Sequence, residues 1–279
     1  MARTFRDLNR KVVVITGAAR GIGASTARAL AAEGARVAIG DLDGDLAQSL
    51  ATEIGAGAIA RKLDVTDHAG YTAFLDEVEN ELGPLDVLIN NAGIMPVTEF
   101  EHEPASSIDR QLDINLRAVI HGTQQAIQRM RPRGHGHIVN VASAAGKGGF
   151  PGVSTYCSTK FGVVGLSEAL YGELHGSGVE ISCVMPAIVR TELTGGVKDH
   201  WLIKTSTPEQ VADAIVAALK KPRFDVYVPR SLVALNRSMA LVPRRGQSWM
   251  MRVLKADTIM ASAAHAPERE AYERRAAGL

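Results

Sequence analysis

Between residues 12 and 228, this 279-residue chain alternates short β-branched runs with longer helical stretches, and that rhythm constrains its fold more than any other feature. Val12–Thr16, Arg36–Gly40, Ile59–Leu63, Val87–Ile89, His137–Val141, Glu180–Met185 and Asp225–Val228 read as strands. Arg20–Ala32, Asp43–Ile54, Asp67–Leu82, Ile108–Met130, Thr155–Leu174 and Pro208–Lys220 read as helices. Local signals agree with these limits. Gly34 suits a helix C-terminus, Asp43 an N-cap and Pro208 a first helical turn. Phe74, Leu75 and Val78 recur at helical spacing. Strands separated by helices cannot close as hairpins, so successive strands must run parallel through right-handed crossovers.

The expected fold class is therefore α/β. It is a doubly wound parallel sheet of the Rossmann type with helices on both faces, plus a C-terminal extension. In such a sheet the site lies beyond the carboxyl ends of the strands. Residues 1–229 form the expected α/β domain, and residues 230–279 the extension. Charge separates the two: the first part carries 22 basic and 26 acidic residues, the second 9 and 4. The net charge of +1 leaves no whole-chain field to attract nucleic acid. Two cysteines, Cys157 and Cys183, exclude a disulfide scaffold. The N-terminal MARTFRDLNRK has no apolar core for a secretory signal, and no apolar run reaches membrane-spanning length. A cytoplasmic protein is expected.

Three motifs carry chemistry. Thr16-Gly17-Ala18-Ala19-Arg20-Gly21-Ile22-Gly23 follows a strand and opens a helix. Glycines there let the backbone approach a pyrophosphate at the helix N-terminus, although a plain tight turn uses the same residues. Asp41 ends the second strand, where a carboxylate can accept hydrogen bonds from ribose hydroxyls. The neighbouring Asp43, Gly44 and Asp45 read as an ordinary exposed turn. Tyr156 and Lys160 stand four apart on a helix and share one face. An ammonium near a phenol favours the phenolate, which suits a general acid/base, whereas a solvated surface pair is the bland alternative.

Taken in order, TGxxxGxG, Asn90-Asn91-Ala92-Gly93, Asn115, Ser143 and YxxxK resemble the short-chain dehydrogenase/reductase family over about residues 10–229. The resemblance implies one Rossmann-type domain, a nicotinamide cofactor and hydride transfer at an alcohol or carbonyl carbon. Tyr156 is then the general acid/base. Lys160 holds the nicotinamide ribose and lowers the tyrosine pKa, Ser143 binds the substrate oxygen, and Asn115 holds a water of the proton relay. Gly17, Arg20, Gly21, Ile22 and Gly23 form the phosphate loop. Asp64 and Val65 meet the adenine, and Asn91, Ala92 and Gly93 line the same side. Pro186, Val189 and Thr191 approach the carboxamide. The family usually has glycine after this proline; here Ala187 stands there, and the turn survives if that residue avoids positive φ.

NAD is the expected cofactor and NADP the alternative, since Arg20 could meet a 2′-phosphate. The expected substrate is a small-molecule secondary alcohol or ketone. Apolar Ile94, Met95, Pro96, Phe150, Val153, Leu193 and Trp201 point to a lipophilic one. An NADPH-dependent carbonyl or 3-oxoacyl reductase and a non-catalytic cofactor sensor are the rival readings. No metal is expected: His135 and His137 lack further ligands nearby in the chain. Cys157 reads as a packed thiol. The family pairs its long helices between subunits, so the resemblance implies a homodimer through Ile108–Met130 and Thr155–Leu174, with a homotetramer the alternative. Arg230 to Ala256 holds six cations and no acid among Trp, Leu and Met, a pattern that suits a membrane surface or packing against protein. Beyond Ala266 the sequence reads as a polar, frayed helix.

Overall fold

The computed structural model describes residues 6–196, 205–234 and 269–277, with isolated positions between 238 and 266. Its strands are β1 (Val12–Thr16), β2 (Arg36–Asp41), β3 (Ile59–Lys62), β4 (Val87–Asn90), β5 (Gly136–Val141), β6 (Val179–Pro186) and β7 (Asp225–Val228). They form one sheet in the order β3-β2-β1-β4-β5-β6-β7, and every neighbouring pair is parallel. The chain winds outward from β1 to β3, then returns to place β4 beside β1. That reversal opens a crevice at the carboxyl ends of β1 and β4.

Side-chain alternation explains why the strands read as unbroken apolar runs. Val13 and Ile15 face one side of the sheet, with Leu30 of α1 (Gly21–Ala32), Leu50 of α2 (Gly44–Ile54) and Val211 of α7 (Pro208–Lys220). Val12 and Val14 face the other, with Phe74 of α3 (His68–Leu82) and Ala126 of α5 (Ala118–Met130). Both faces are covered, so both sets are buried. Each fully buried Ile, Leu or Val contributes about 1.5–3 kcal/mol to this two-sided core.

Helix starts follow their caps. Asp43 accepts from the Leu46 amide, Asp67 from the Ala69 and Gly70 amides, and Thr207 forms a reciprocal box with Gln210 ahead of Pro208. The expected helix Ile108–Met130 is not continuous. It is α4 (Ala105–Leu112), a π-helical turn (Asp113–Arg117) and α5. The turn falls on Asn115, and such widened turns occur mostly where backbone groups are diverted to a site.

Helix α6 (Ser154–Glu173) runs beside α5, and Val163 and Val164 pack with Cys183 and Met185. The described part of the extension differs from its expected form. Glu270–Ala277 is a helix, α8, with Tyr272 and Ala276 buried, so it is docked on the body. The basic and apolar stretch 230–256 and Trp201 lie largely outside the described residues. Among the described residues, no helix is long and apolar enough to cross a membrane.

Candidate active site

The glycine loop sits where β1 turns into α1. A Cβ on Gly17 would come within 2.6 Å of the Ala92 Cα, and its φ of +62° is left-handed, so both space and conformation require glycine. Arg20 is the N-cap of α1 but gives no side-chain cap, leaving the first amides of the helix free to meet an anion. Asn91 fastens the loop from the β4 side: its amide nitrogen donates to the Thr16 and Gly17 carbonyls at 3.0 and 2.8 Å. The Thr16 hydroxyl accepts from the Asn91 and Ala92 amides.

Asp41 ends β2 half-buried, with one oxygen accepting from the Ala19 amide at 2.8 Å and the other from Asp43 at 3.0 Å. The same carboxylate therefore supports the loop and faces the crevice. Arg20 is drawn away from it, to Asp43 at 2.7 Å and Glu192 at 3.8 Å. Asp64 accepts from the amide and hydroxyl of Thr66, and Val65 beside it is buried. This cradle fits a dinucleotide: a glycine wall, a bare helix N-terminus and a carboxylate at the neighbouring strand end.

The chemistry-bearing side chains gather at the ends of β4 and β5. Asn115 is fully buried in the π turn. Its side chain clamps Ile94, accepting from the amide and donating to the carbonyl, both at 2.8 Å. A Cβ on Gly93 would lie 3.2 Å from the Asn115 Oδ1 and 3.7 Å from the Lys160 Nζ, so Gly93 keeps open the space between them. Ser143 caps the short turn after β5, its hydroxyl accepting from the Ala145 amide at 3.1 Å, and lies close enough to the Tyr156 phenol to lower its pKa. Lys160 is buried, donates to the Val141 carbonyl at 2.9 Å and stands 5.6 Å from the centre of the Tyr156 ring. The expected Ser143, Tyr156 and Lys160 constellation is thus assembled in one pocket.

Burial pushes the Tyr156 phenol up to about 12, with Ser143 pulling it back, and pushes Lys160 down to about 8. The loop after β6 forms without glycine: Ala187 avoids positive φ and its amide donates to the Val228 carbonyl at 2.8 Å. Val189 bridges to Ser206, and Thr191 boxes with Thr194 while its methyl faces Gly21. An open groove of about 550 Å³ runs along residues 188–195.

His137 is buried against the Ser182 hydroxyl at 2.8 Å and driven down to about 3 by burial, while His135 lies 3.8 Å from Asp86. These are structural placements. Cys157 accepts from the Phe150 amide, and burial raises its pKa. Two residues near the pocket escaped the sequence reading. Arg269 and Tyr272, at the start of α8, bond the Met95 backbone. The signal was one aromatic in a charged stretch, with Ala276 four residues on.

Comparison with known proteins agrees with this geometry. A sequence model described as short chain dehydrogenase matches residues 11–201. A 3-alpha-(or 20-beta)-hydroxysteroid dehydrogenase of Mycobacterium tuberculosis is 35% identical over 210 residues, covering 74% of this chain and 81% of that protein. Among solved structures, a short chain dehydrogenase/reductase from Burkholderia phymatum in complex with NAD superposes with a TM-score of 0.77 at 26% identity, covering 83% and 93% of the two chains. A 3-ketoacyl-(acyl-carrier-protein) reductase from Brucella melitensis complexed with NADH gives 0.74 at 29%, covering 79% and 97%. The chain belongs to the short-chain dehydrogenase/reductase family. It is an NAD(P)-dependent oxidoreductase acting on CH–OH groups.

Proposed function

We propose that this protein interconverts a lipophilic secondary alcohol and its ketone, with NAD preferred over NADP. When bound, the nicotinamide cofactor accepts or returns the hydride. Tyr156 takes the hydroxyl proton in oxidation and gives it back in reduction. Ser143, near enough to the Tyr156 phenol to lower its pKa, donates to the substrate oxygen. Lys160 supplies positive charge beside the phenol and reaches a ribose hydroxyl. Asn115 positions the Gly93–Ile94 backbone and a relay water. The carrying observation is the buried Tyr156 with Lys160 5.6 Å from its ring centre and Ser143 acting on its phenol, surrounded by Met95, Val97, Val153 and Cys157. That apolar ring favours a lipophilic substrate.

Cofactor preference rests on Asp41, with Arg20 already engaged by two other acids. Gly21, Ile22 and Gly23 present the phosphate loop, and Asp64, Val65, Asn91 and Ala92 flank the adenine side. Pro186, Val189 and Thr191 border the nicotinamide end. A homodimer through α5 and α6 fits exposed Ile120 and Phe161 on those helices.

Turnover of a panel of hydroxysteroids, retinoids, simple secondary alcohols and 3-oxoacyl thioesters tests the reading. Tyr156→Phe is expected to lose at least about 100-fold in kcat, the low end of general acid–base contributions, while binding NADH normally. Near-normal turnover in that variant sinks the assignment. Exclusive use of oxoacyl thioesters replaces the lipophilic-alcohol reading.

A further inference from the structure

Arg269 directly precedes α8 and is 1% exposed, which is rare for an unshared guanidinium. Its burial is tolerable only because every side of the group is engaged. Nη2 donates to the Met95 carbonyl at 2.7 Å. Nη1 donates to the Leu193 and Gly195 carbonyls at 2.8 and 3.2 Å. Nε donates to Glu273, one helical turn on, at 3.0 Å. One planar fork thus joins two loops that are far apart in sequence.

The same two loops carry the apolar wall around Tyr156, for Met95, Val97 and Leu193 all pack in its cluster. Helix α8 holds the first loop at more points. The Tyr272 hydroxyl accepts from the Met95 amide at 2.7 Å, and Glu273 accepts from the Val97 amide at 3.4 Å. Both backbone polar groups of Met95 are therefore held by the extension. The far end of α8 is anchored as well. Arg110 donates to the Ala276 carbonyl at 2.9 Å, and Arg275 pairs with Glu192. Tyr272 is near enough to Tyr156 for the charge of one to act on the other. The family match ends at residue 201, so nothing in it accounts for α8.

We propose that α8 is the outer wall of the substrate pocket, and that Arg269 is a positioning residue that sets the pocket's width by fixing the Met95–Val97 loop against the Leu193–Gly195 loop. The proposal rests on Tyr156 being the reaction centre. A bulky alcohol needs both loops in register to be gripped. A small alcohol touches only Ser143 and Tyr156 and is indifferent to them. Arg269 thereby acts on specificity for large lipophilic substrates.

The test compares the full-length protein with Arg269→Met and Tyr272→Phe. The first removes every donor at similar length; the second keeps the ring and removes only the acceptor for Met95. For each, kcat/KM is measured with a hydroxysteroid and with 2-propanol, NADH affinity by fluorescence, and amide exchange over residues 93–98. In Arg269→Met the hydroxysteroid-to-propanol ratio is expected to fall at least tenfold, with NADH affinity within twofold and faster exchange. In Tyr272→Phe the ratio should fall about threefold. An unchanged ratio in both variants overturns the proposal, as does a matched loss of NADH affinity and both activities, which marks α8 as merely structural. If the wild type oxidises no alcohol, the reading of Tyr156 fails separately. Exchange still tests the hold on the loop: unchanged protection of residues 93–98 in Arg269→Met overturns it, and lost protection confined to them supports it, without bearing on the substrate.

Discussion

Replacing Asp41 by asparagine isolates one charge at the end of β2. Asparagine keeps an oxygen that can still accept from the Ala19 amide, now at 2.8 Å, so the loop retains its main tie. Loss of the second acceptor, from Asp43, costs about 1–3 kcal/mol of stability. The electrostatic change acts on cofactor choice. A carboxylate about 4 Å from a 2′-phosphate repels it by about 1 kcal/mol per unit charge in water and about 4 at an effective dielectric near 20. Asp41 is half-buried, so its effect lies between these limits. Arg20 offsets little of it, because Asp43 at 2.7 Å and Glu192 at 3.8 Å already compete for that cation. At about 1.4 kcal/mol per tenfold, discrimination against NADPH should fall between about 5-fold and 1,000-fold. Fluorescence titration with NADH and NADPH measures it, and raising the salt should narrow the wild-type preference. A ratio unchanged within twofold refutes the reasoning. So does a shift caused wholly by weaker NADH binding, since that reports lost hydrogen bonds rather than relieved repulsion.

Lys160→Met should abolish most turnover, yet its stability relative to wild type should depend on pH. The folded pKa of about 8 lies below the unfolded value near 10.4, so the unfolded chain holds the extra proton between them, and wild-type stability rises with pH across that window by up to about 3 kcal/mol relative to the variant. Urea unfolding at pH 7 and pH 9.5 checks this, and a difference that does not vary with pH contradicts the burial of a charged lysine. Light scattering at micromolar concentration should give a dimer or tetramer, since Ile120 and Phe161 stand 44% and 46% exposed on α5 and α6; a monomer refutes the assembly.

The sheet was legible because burial on both faces leaves little but β-branched and apolar residues in its strands. Val12–Thr16, Pro208–Lys220 and Asp225–Val228 match to the residue, and the other strands and helices differ mainly by a residue or so at their ends. Spacing puts Tyr156 and Lys160 on one helical face and Asp41 at a strand end, but only the order of motifs shared with the family singled them out together with Ser143 and Asn115. The break at Asn115 was not legible. Asp-Ile-Asn-Leu-Arg is acceptable in any helix, and the π turn exists because Asn115 must reach the Ile94 backbone, 21 positions earlier. The docking of helix α8 was hidden for the same reason. Its charged residues look solvated, but the acceptors that bury Arg269 come from Met95, Leu193 and Gly195, which no local pattern can supply.

The effect of burial on two pKa values is equally invisible in sequence. Spacing brings Tyr156 and Lys160 together, and proximity alone suggests that lysine lowers the phenol. Burial acts on both first. It disfavours each charged form, so the phenol rises to about 12 and the ammonium falls to about 8. At 5.6 Å and an effective dielectric near 20, a charged Lys160 would stabilise the phenolate by about 3 kcal/mol, or about 2 pKa units. With a pKa of about 8, Lys160 is mostly charged at pH 7, so it stands beside the phenol as a cation while the phenol is still protonated. Burial and charge therefore act on Tyr156 in opposite directions, and the side chains that bury the pair, not their spacing in the helix, set the balance.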